Sequence, residues 1–393
     1  MVNLDIKTPA EFADICPIEE EDFKEQLAWL VEQEGFQQVF TYMNPEVDFN
    51  KLKQLMLSFK TRFEFQNVGM RAMVENVINK TTDGLTMSGS DLIDTDTPYT
   101  FITNHRDIVL DASFLNVNLV NAGHNTAQVA IGDNLLIFDW ITTLVRLNKS
   151  FIVKRGLGQR AVLEAAIQLS KYIHFTLTQR KDSVWIAQRQ GRSKDNTDHT
   201  QESLIKMLAL GGKSRSLIDN LLEINLAPVA ISYEYDPCDF LKAVEFLQKE
   251  RDPNFKKSQA DDLLNMSMGI RKYKGRVHYG ASTCINEQIA ALPKDLDKNT
   301  AAQQVCEIID QAIHANYRIY PCNYIAYDKL NGKQQFADQY TKEDVEKFDS
   351  YINGQVAKVR LNLSDEDREY IINKMLVMYS NPLVNKLAAT AGK

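Results

Sequence analysis

Between Tyr99 and Gly280 the chain repeats one pattern: a short run rich in β-branched and aromatic residues, then a longer stretch with apolar residues three and four apart. The short runs are YTFIT at 99–103, AQVAI at 127–131, SFIVK at 150–154, SVWIA at 183–187, APVAISYEY at 227–235 and RVHYG at 276–280. Helical periodicity fills the intervals at 110–121, 134–147, 159–174, 201–210, 239–250 and 259–269. A helix between two strands carries the chain back to the start of the sheet, so the pattern predicts an α/β domain with a mixed, largely parallel sheet flanked by helices. In such a sheet the residues that follow each strand gather at one edge, where ligands bind.

The flanks read differently. From Glu19 to about Thr81 the apolar spacing predicts three or four amphipathic helices, with Asn44-Pro45 as a break among them. Thr82-Asp83-Gly84 closes this region, and the polar run from Ser88 to Pro98 is the expected boundary. Past Asn299 the helical period returns, and Thr341 with Asp344, then Ser364 with Asp367, stand as N-caps with their reciprocal acids. The expected division is an N-terminal helical domain at 1–92, an α/β domain at 93–330 and a C-terminal helical extension at 331–393 packed on it. No repeat with a period of 20–50 residues is found, which excludes solenoids and propellers.

A net charge of -7 and a pI near 5.5 argue against nucleic acid as a partner, since that affinity comes from Lys and Arg neutralising phosphates. Any basic site must be local. Five scattered cysteines without a C-x-x-C suggest neither a disulfide framework nor a zinc site, and no other ligand spacing points to a metal. A reducing, cytoplasmic setting is expected, and the first residues, MVNLDIKTPAEFADI, lack the basic and apolar regions of a signal peptide. The most apolar helical stretch, NLLIFDWITTLVRL at 134–147, is interrupted by Asp139 and is shorter than the roughly 20 residues a spanning helix needs. It reads as a buried core helix or a docking face, so any membrane contact would be peripheral.

Four segments at strand ends concentrate polar residues that the fold does not require. Asn104-His105-Arg106-Asp107, with Asp111 beyond, places a histidine and carboxylates together, the composition of a general base whose tautomer is held by an acid. Lys154-Arg155-Gly156-Leu157-Gly158 follows the third run and Arg189-Gln190-Gly191-Arg192-Ser193-Lys194 the fourth; two basic turns at one edge make a local anion site. Asp236-Pro237-Cys238-Asp239 follows the fifth run and reads as a turn with an N-cap. H-R-D is also found in protein kinases, but no D-F-G or Gly-rich loop accompanies it, and the G-x-S-x-G of serine hydrolases is absent.

In this order the four segments resemble the motif blocks of the glycerolipid acyltransferases, the superfamily of glycerol-3-phosphate and 1-acylglycerol-3-phosphate acyltransferases. IGDNLLIFDWITTLVRLNKSFIVKR at 131–155 resembles the stretch between the first two blocks of the bacterial glycerol-3-phosphate enzyme. WIAQRQGRSKD resembles block three, APVAISYEY block four, and GRVHYG a closing strand, so that the likeness spans about Thr97 to Thr283. The helical N-terminal domain is similar in arrangement to that of the plastid enzyme.

The resemblance implies a glycerol-3-phosphate acyltransferase-like fold and transfer of a fatty acyl group from acyl-ACP or acyl-CoA to glycerol 3-phosphate or 1-acylglycerol 3-phosphate in phospholipid biosynthesis. It implies no cofactor beyond the thioester co-substrate and no metal, and work at the inner face of a membrane. His105 would be the base; Arg155 and Arg192 would bind the acceptor's phosphate, with Lys154 and Lys194 as auxiliaries. The family separates its His and Asp by four residues, whereas five lie between His105 and Asp111 here. Either a bulged turn keeps Asp111 as the partner or Asp107 takes that place. Block three also carries Arg189 and Gln190 where enzymes of the second acylation step have a Glu, which leaves the acceptor open. The competing reading, from another class, is a catalytically silent lipid- or anion-binding paralogue.

Overall fold

The protein, seen in a computed structural model that describes residues 2–3, 6–43 and 46–391, is built on one sheet. Its strands are β1 (Leu85–Ser88), β2 (Thr100–Thr103), β3 (Gln128–Gly132), β4 (Ser150–Val153), β5 (Val184–Ala187), β6 (Leu226–Tyr233) and β7 (Val277–Ala281). They hydrogen-bond in the order β1-β7-β6-β2-β5-β3-β4. From β6 to β4 every pairing is parallel, and β7 runs antiparallel to β6. The chain thus forms the α/β fold with the mixed, largely parallel sheet that its alternating pattern predicts. β1 is the strand that pattern misses; it pairs with β7 at the sheet's edge, just past the helices expected to end near Thr81 and within the expected N-terminal helical domain at 1–92.

Alternation along the strands sends side chains to two faces. Ile102, Ile186, Leu226 and Ala230 join one core, under the helices Gln159–Thr178 and Lys298–Ala315. Phe101, Trp185, Val229 and Ile231 join the other, under Phe114 and Leu115 of the helix Leu110–Asn121. Val74 and Ile78 of the helix Arg71–Thr81 and Ile270 of the helix Gln259–Arg271 pack against this second core.

The N-terminal helices Phe23–Val31, Glu34–Met43 and Phe49–Ser58 form a third core with Leu147 and Trp140. That contact settles what the apolar stretch at 134–147 packs on. Its helix begins only at Asp139, because residues 133–135 make a 3-10 turn, and the N-terminal helices pack on one side of it, where a methyl group on Gly35 would lie 2.6 Å from Trp140 Nε1, while Leu147 is its one buried residue. Among the described residues no helix is long and apolar enough to cross a membrane. The Asn44-Pro45 break lies outside the described residues.

The C-terminal helices Pro321–Asn331, Lys342–Val356 and Asp365–Thr390 enclose a fourth core with Phe240 and Leu247 of the helix Asp239–Arg251. Both expected capping boxes form, Thr341 with Asp344 and Ser364 with Asp367. The last helix also reaches the turn after β5. Asn381 Nδ2 donates to Asp195 O at 2.6 Å, and Asn385 Nδ2 to Asn196 O at 3.2 Å and Thr197 O at 3.1 Å. A distant helix therefore fixes a loop at the sheet's functional edge.

Candidate active site

Asn104 fixes the end of β2. Its side chain imitates a strand residue, donating from Nδ2 to Ile231 O at 2.9 Å and accepting from Ile231 N at 2.7 Å. On the other side, Trp185 Nε1 donates to Thr103 Oγ1 at 3.1 Å. His105 therefore projects from a stitched strand end, with its ring edge-on to Trp185 at 6.0 Å between centroids.

The next turn winds round one carboxylate. Asp111 Oδ2 accepts from Arg106 N at 2.6 Å and Asp107 N at 3.0 Å, and His105 Nδ1 lies 2.8 Å from the same oxygen. Tyr233 donates its hydroxyl to Asp111 Oδ1 at 3.3 Å. A carboxylate only accepts, so Nδ1 carries a proton, and in the neutral ring the lone pair is on Nε2. The Asp111 side chain is 1% exposed and that of His105 14%, which leaves the ring as the solvent-facing end of the pair.

Of the two carboxylates that the sequence leaves open, the ring therefore meets Asp111. Asp107 starts the helix instead, accepting from Val109 N and Leu110 N at 2.8 Å each. Of the five intervening residues, four (Arg106 to Val109) lie ahead of the first helical residue Leu110, so the turn and not the helix takes up the extra position between ring and acid. Burial and the neighbouring Asp111 push the Asp107 carboxyl above its ordinary range. Arg106 turns away from His105 and pairs with Asp198, its Nη2 2.7 Å from Oδ2 and its Nη1 donating to Oδ1 at 3.0 Å. Both partners are buried, and the pair binds the turn after β5 to the end of β2.

The predicted cations do not form one cluster. Arg192 lies on the Asp107 side, 9% exposed, with Nη2 donating to Asn265 Oδ1 at 2.8 Å. Burial works against its charge, but Cys238, Asp236 and Asp107 outweigh that and hold the guanidinium above its usual range. Arg155 follows β4, three strands from β2 and so roughly 14 Å away across the sheet. Its backbone N–H donates to both Asp133 carboxylate oxygens at 3.1 Å, and its side chain lies over Gly132, where a methyl group would come within 2.7 Å of Nε. Burial lowers its pKa although Asp133 works the other way.

The lysines are engaged elsewhere. Lys154 pairs with Asp14 and donates to Gln168 Oε1 at 3.0 Å. Lys194 pairs with Glu245; burial draws its pKa down to about 8 despite that partner. Against burial, Lys194, Lys257 and Lys249 hold Glu245 at about 2. Asp236 makes the expected turn by accepting from Cys238 N at 2.8 Å and pairs with Lys242. Asp239, in contrast, is no surface cap. It is fully buried, and its oxygens accept from Tyr379 at 2.7 Å, Tyr351 at 2.8 Å and Gln355 at 2.6 Å.

Two residues at the site were passed over in the sequence. Trp185 could have been found, since alternation along SVWIA with Phe101 on the neighbouring strand puts both on one face. Asp198 could not, because nothing local links it to Arg106, 92 positions away. Among the described residues no group of three or more His, Cys, Asp or Glu side chains is placed to hold a metal ion.

No protein-family model matches the chain, and no curated protein matches it either. Among solved structures it is similar to the 1-acyl-sn-glycerophosphate (LPA) acyltransferase PlsC from Thermotoga maritima, with 10% sequence identity and a TM-score of 0.34, over 74% of this chain and 93% of that one.

Proposed function

We propose that this chain is an O-acyltransferase that moves a fatty acyl group from an acyl-carrier-protein or coenzyme A thioester to a hydroxyl of glycerol 3-phosphate or its 1-acyl derivative. The observation that carries the reading is the His105–Asp111 pair, 2.8 Å apart at the open end of the central strand, with motif-like basic turns following β4 and β5. His105 Nε2 takes the proton of the acceptor hydroxyl as its oxygen attacks the thioester carbonyl carbon. The C–S bond then breaks, the thiolate leaves, and the proton passes from the ring to sulfur or solvent.

An alkoxide is too basic to form free at neutral pH, so removal of the proton during attack is the ring's contribution, typically about 10² to 10⁴-fold. Asp111 steadies the imidazolium that forms and fixes its direction. Arg192 and Arg155 supply positive charge for the phosphate of the acceptor, and the ion pairs of Lys154 with Asp14 and of Lys194 with Glu245 leave those lysines at most a minor part. The products are amphiphiles, so the work would be done at the inner surface of a membrane, by peripheral contact.

The test is incubation of the purified protein with acyl-ACP or acyl-CoA and each acceptor, following thiol release and the lipid product. Acceptor-dependent thiol release with formation of an acylated glycerol phosphate is expected. A protein that binds acyl thioester or phosphate without turnover would be the silent paralogue.

A further inference from the structure

We propose that Arg189 grips the anionic group of the acceptor and sets the site's demand for a phosphate monoester, an inference that rests on the acyl-transfer reading. Gln188 N donates to Thr103 O at 2.7 Å, so the ladder between β2 and β5 runs past the last assigned strand residue. Thr103 is opposite Ala187, so the turn that carries Arg189 and the turn that begins at His105 leave neighbouring strands at the same level. Trp185 of β5 meets the His105 ring, and Arg189 follows two residues after that strand ends at Ala187.

Arg189 is also short of partners. Its Nε is buried and has no hydrogen-bond acceptor among the described residues, and the same holds for Nη1 of Arg192 in the same turn. A buried guanidinium N–H without an acceptor is costly, and two of them in one turn call for a ligand rich in oxygens. Gly191, at φ +71°, lets the chain fold back between the two arginines. A phosphate monoester presents three oxygens to such a fork. The strand order adds position: Arg189 and Arg192 both follow β5, next to the strand that leads to His105 and two strands from the one that precedes Arg155.

Phosphate could belong to the acceptor or to coenzyme A, and the test separates them. Calorimetric titration of inorganic phosphate into the full-length protein reads the site without catalysis. Wild type should bind, Arg189→Gln should bind roughly 10- to 100-fold more weakly, and Arg189→Lys should fall between them. With an acyl-pantetheine donor, which has no phosphate, Arg189→Gln should raise the KM for glycerol 3-phosphate by a similar factor and leave the donor KM unchanged. Equal phosphate binding by wild type and both variants, or none by wild type, overturns the inference. So does a raised KM for acyl-CoA with an unchanged KM for the acceptor. Phosphate binding lost in Arg189→Gln, in a protein that acylates nothing, supports the arginine's role and defeats the acyl-transfer reading alone. Thermal melts of both variants guard against loss of fold.

Discussion

His105 Nδ1 lies 2.8 Å from Asp111 Oδ2 although five residues separate them in sequence, because the turn between them wraps its own N–H groups round that same oxygen. Asp111 thus shapes the turn and orients the ring together. Asp107, two residues from His105, serves the helix start.

These separate roles predict separate kinetics. Asp111→Asn keeps an acceptor oxygen for the turn but loses the charge that holds the imidazolium, and kcat should fall by about 10² to 10⁴-fold. Asp107→Asn still caps the helix and should lower kcat by only a few-fold. Steady-state rates of both variants decide it, and an equal loss in the two would mean that the acids are not divided in this way.

Gly269 gives the turn its space. A methyl group there would come 1.9 Å from Asp107 Oδ2 and 2.9 Å from Cγ, and Asp107 is held by two backbone N–H groups. Gly269→Ala should therefore destabilise by about 1–3 kcal/mol through overpacking, against the gain of roughly 1 kcal/mol that Ala usually brings to a helix. Urea unfolding measures the balance; a more stable variant would contradict it.

Arg106 and Asp198 form a buried pair that joins β2 to the turn after β5. Asp198→Asn keeps a residue type that tolerates the positive φ of 51° but leaves the buried guanidinium uncompensated. A loss of about 3 kcal/mol is expected by chemical denaturation. A change below about 0.5 kcal/mol, the level of an ordinary surface substitution, would show that the pair is not a clamp.

Asp239 predicts a pH effect. Burial, with Asp236 beside it, pushes its pKa up to about 7, far above the roughly 3.9 of an unfolded Asp. Between those values the folded protein keeps a proton that the unfolded chain has lost. Its contribution to stability is therefore greatest at the acid end and falls as pH rises, by about 1.4 kcal/mol per unit at most. Asp239→Asn should remove that slope, and unfolding free energies of wild type and variant at pH 5 and 7 will show whether the difference between them changes.

The sequence carried the strands from β2 to β7 well, because runs such as SFIVK and APVAISYEY have strand composition whatever their partners. β1 escaped because LTMS is a short edge strand with alternate residues exposed, and its pairing with β7 joins positions far apart in the chain. PCNYIAYDKLN reads as a polar connection, yet it is the helix Pro321–Asn331, which buries Cys322, Ile325 and Ala326 against the last helices. At the site, periodicity could bring Arg155 to the correct edge but not tell that β4 is the outermost strand. Nor could it tell that Lys194 meets Glu245, 51 positions later. Lateral strand order and long-range ion pairs are tertiary facts, and local pattern does not encode them.

The central claim is that the His105 ring removes the acceptor's proton. The direct measurement is acceptor-dependent thiol release from an acyl thioester by wild type and by His105→Ala at equal, verified folding. The account predicts that the substitution lowers kcat by at least about 10²-fold with little change in thermal stability. Release of thiol at the wild-type rate by His105→Ala would contradict it.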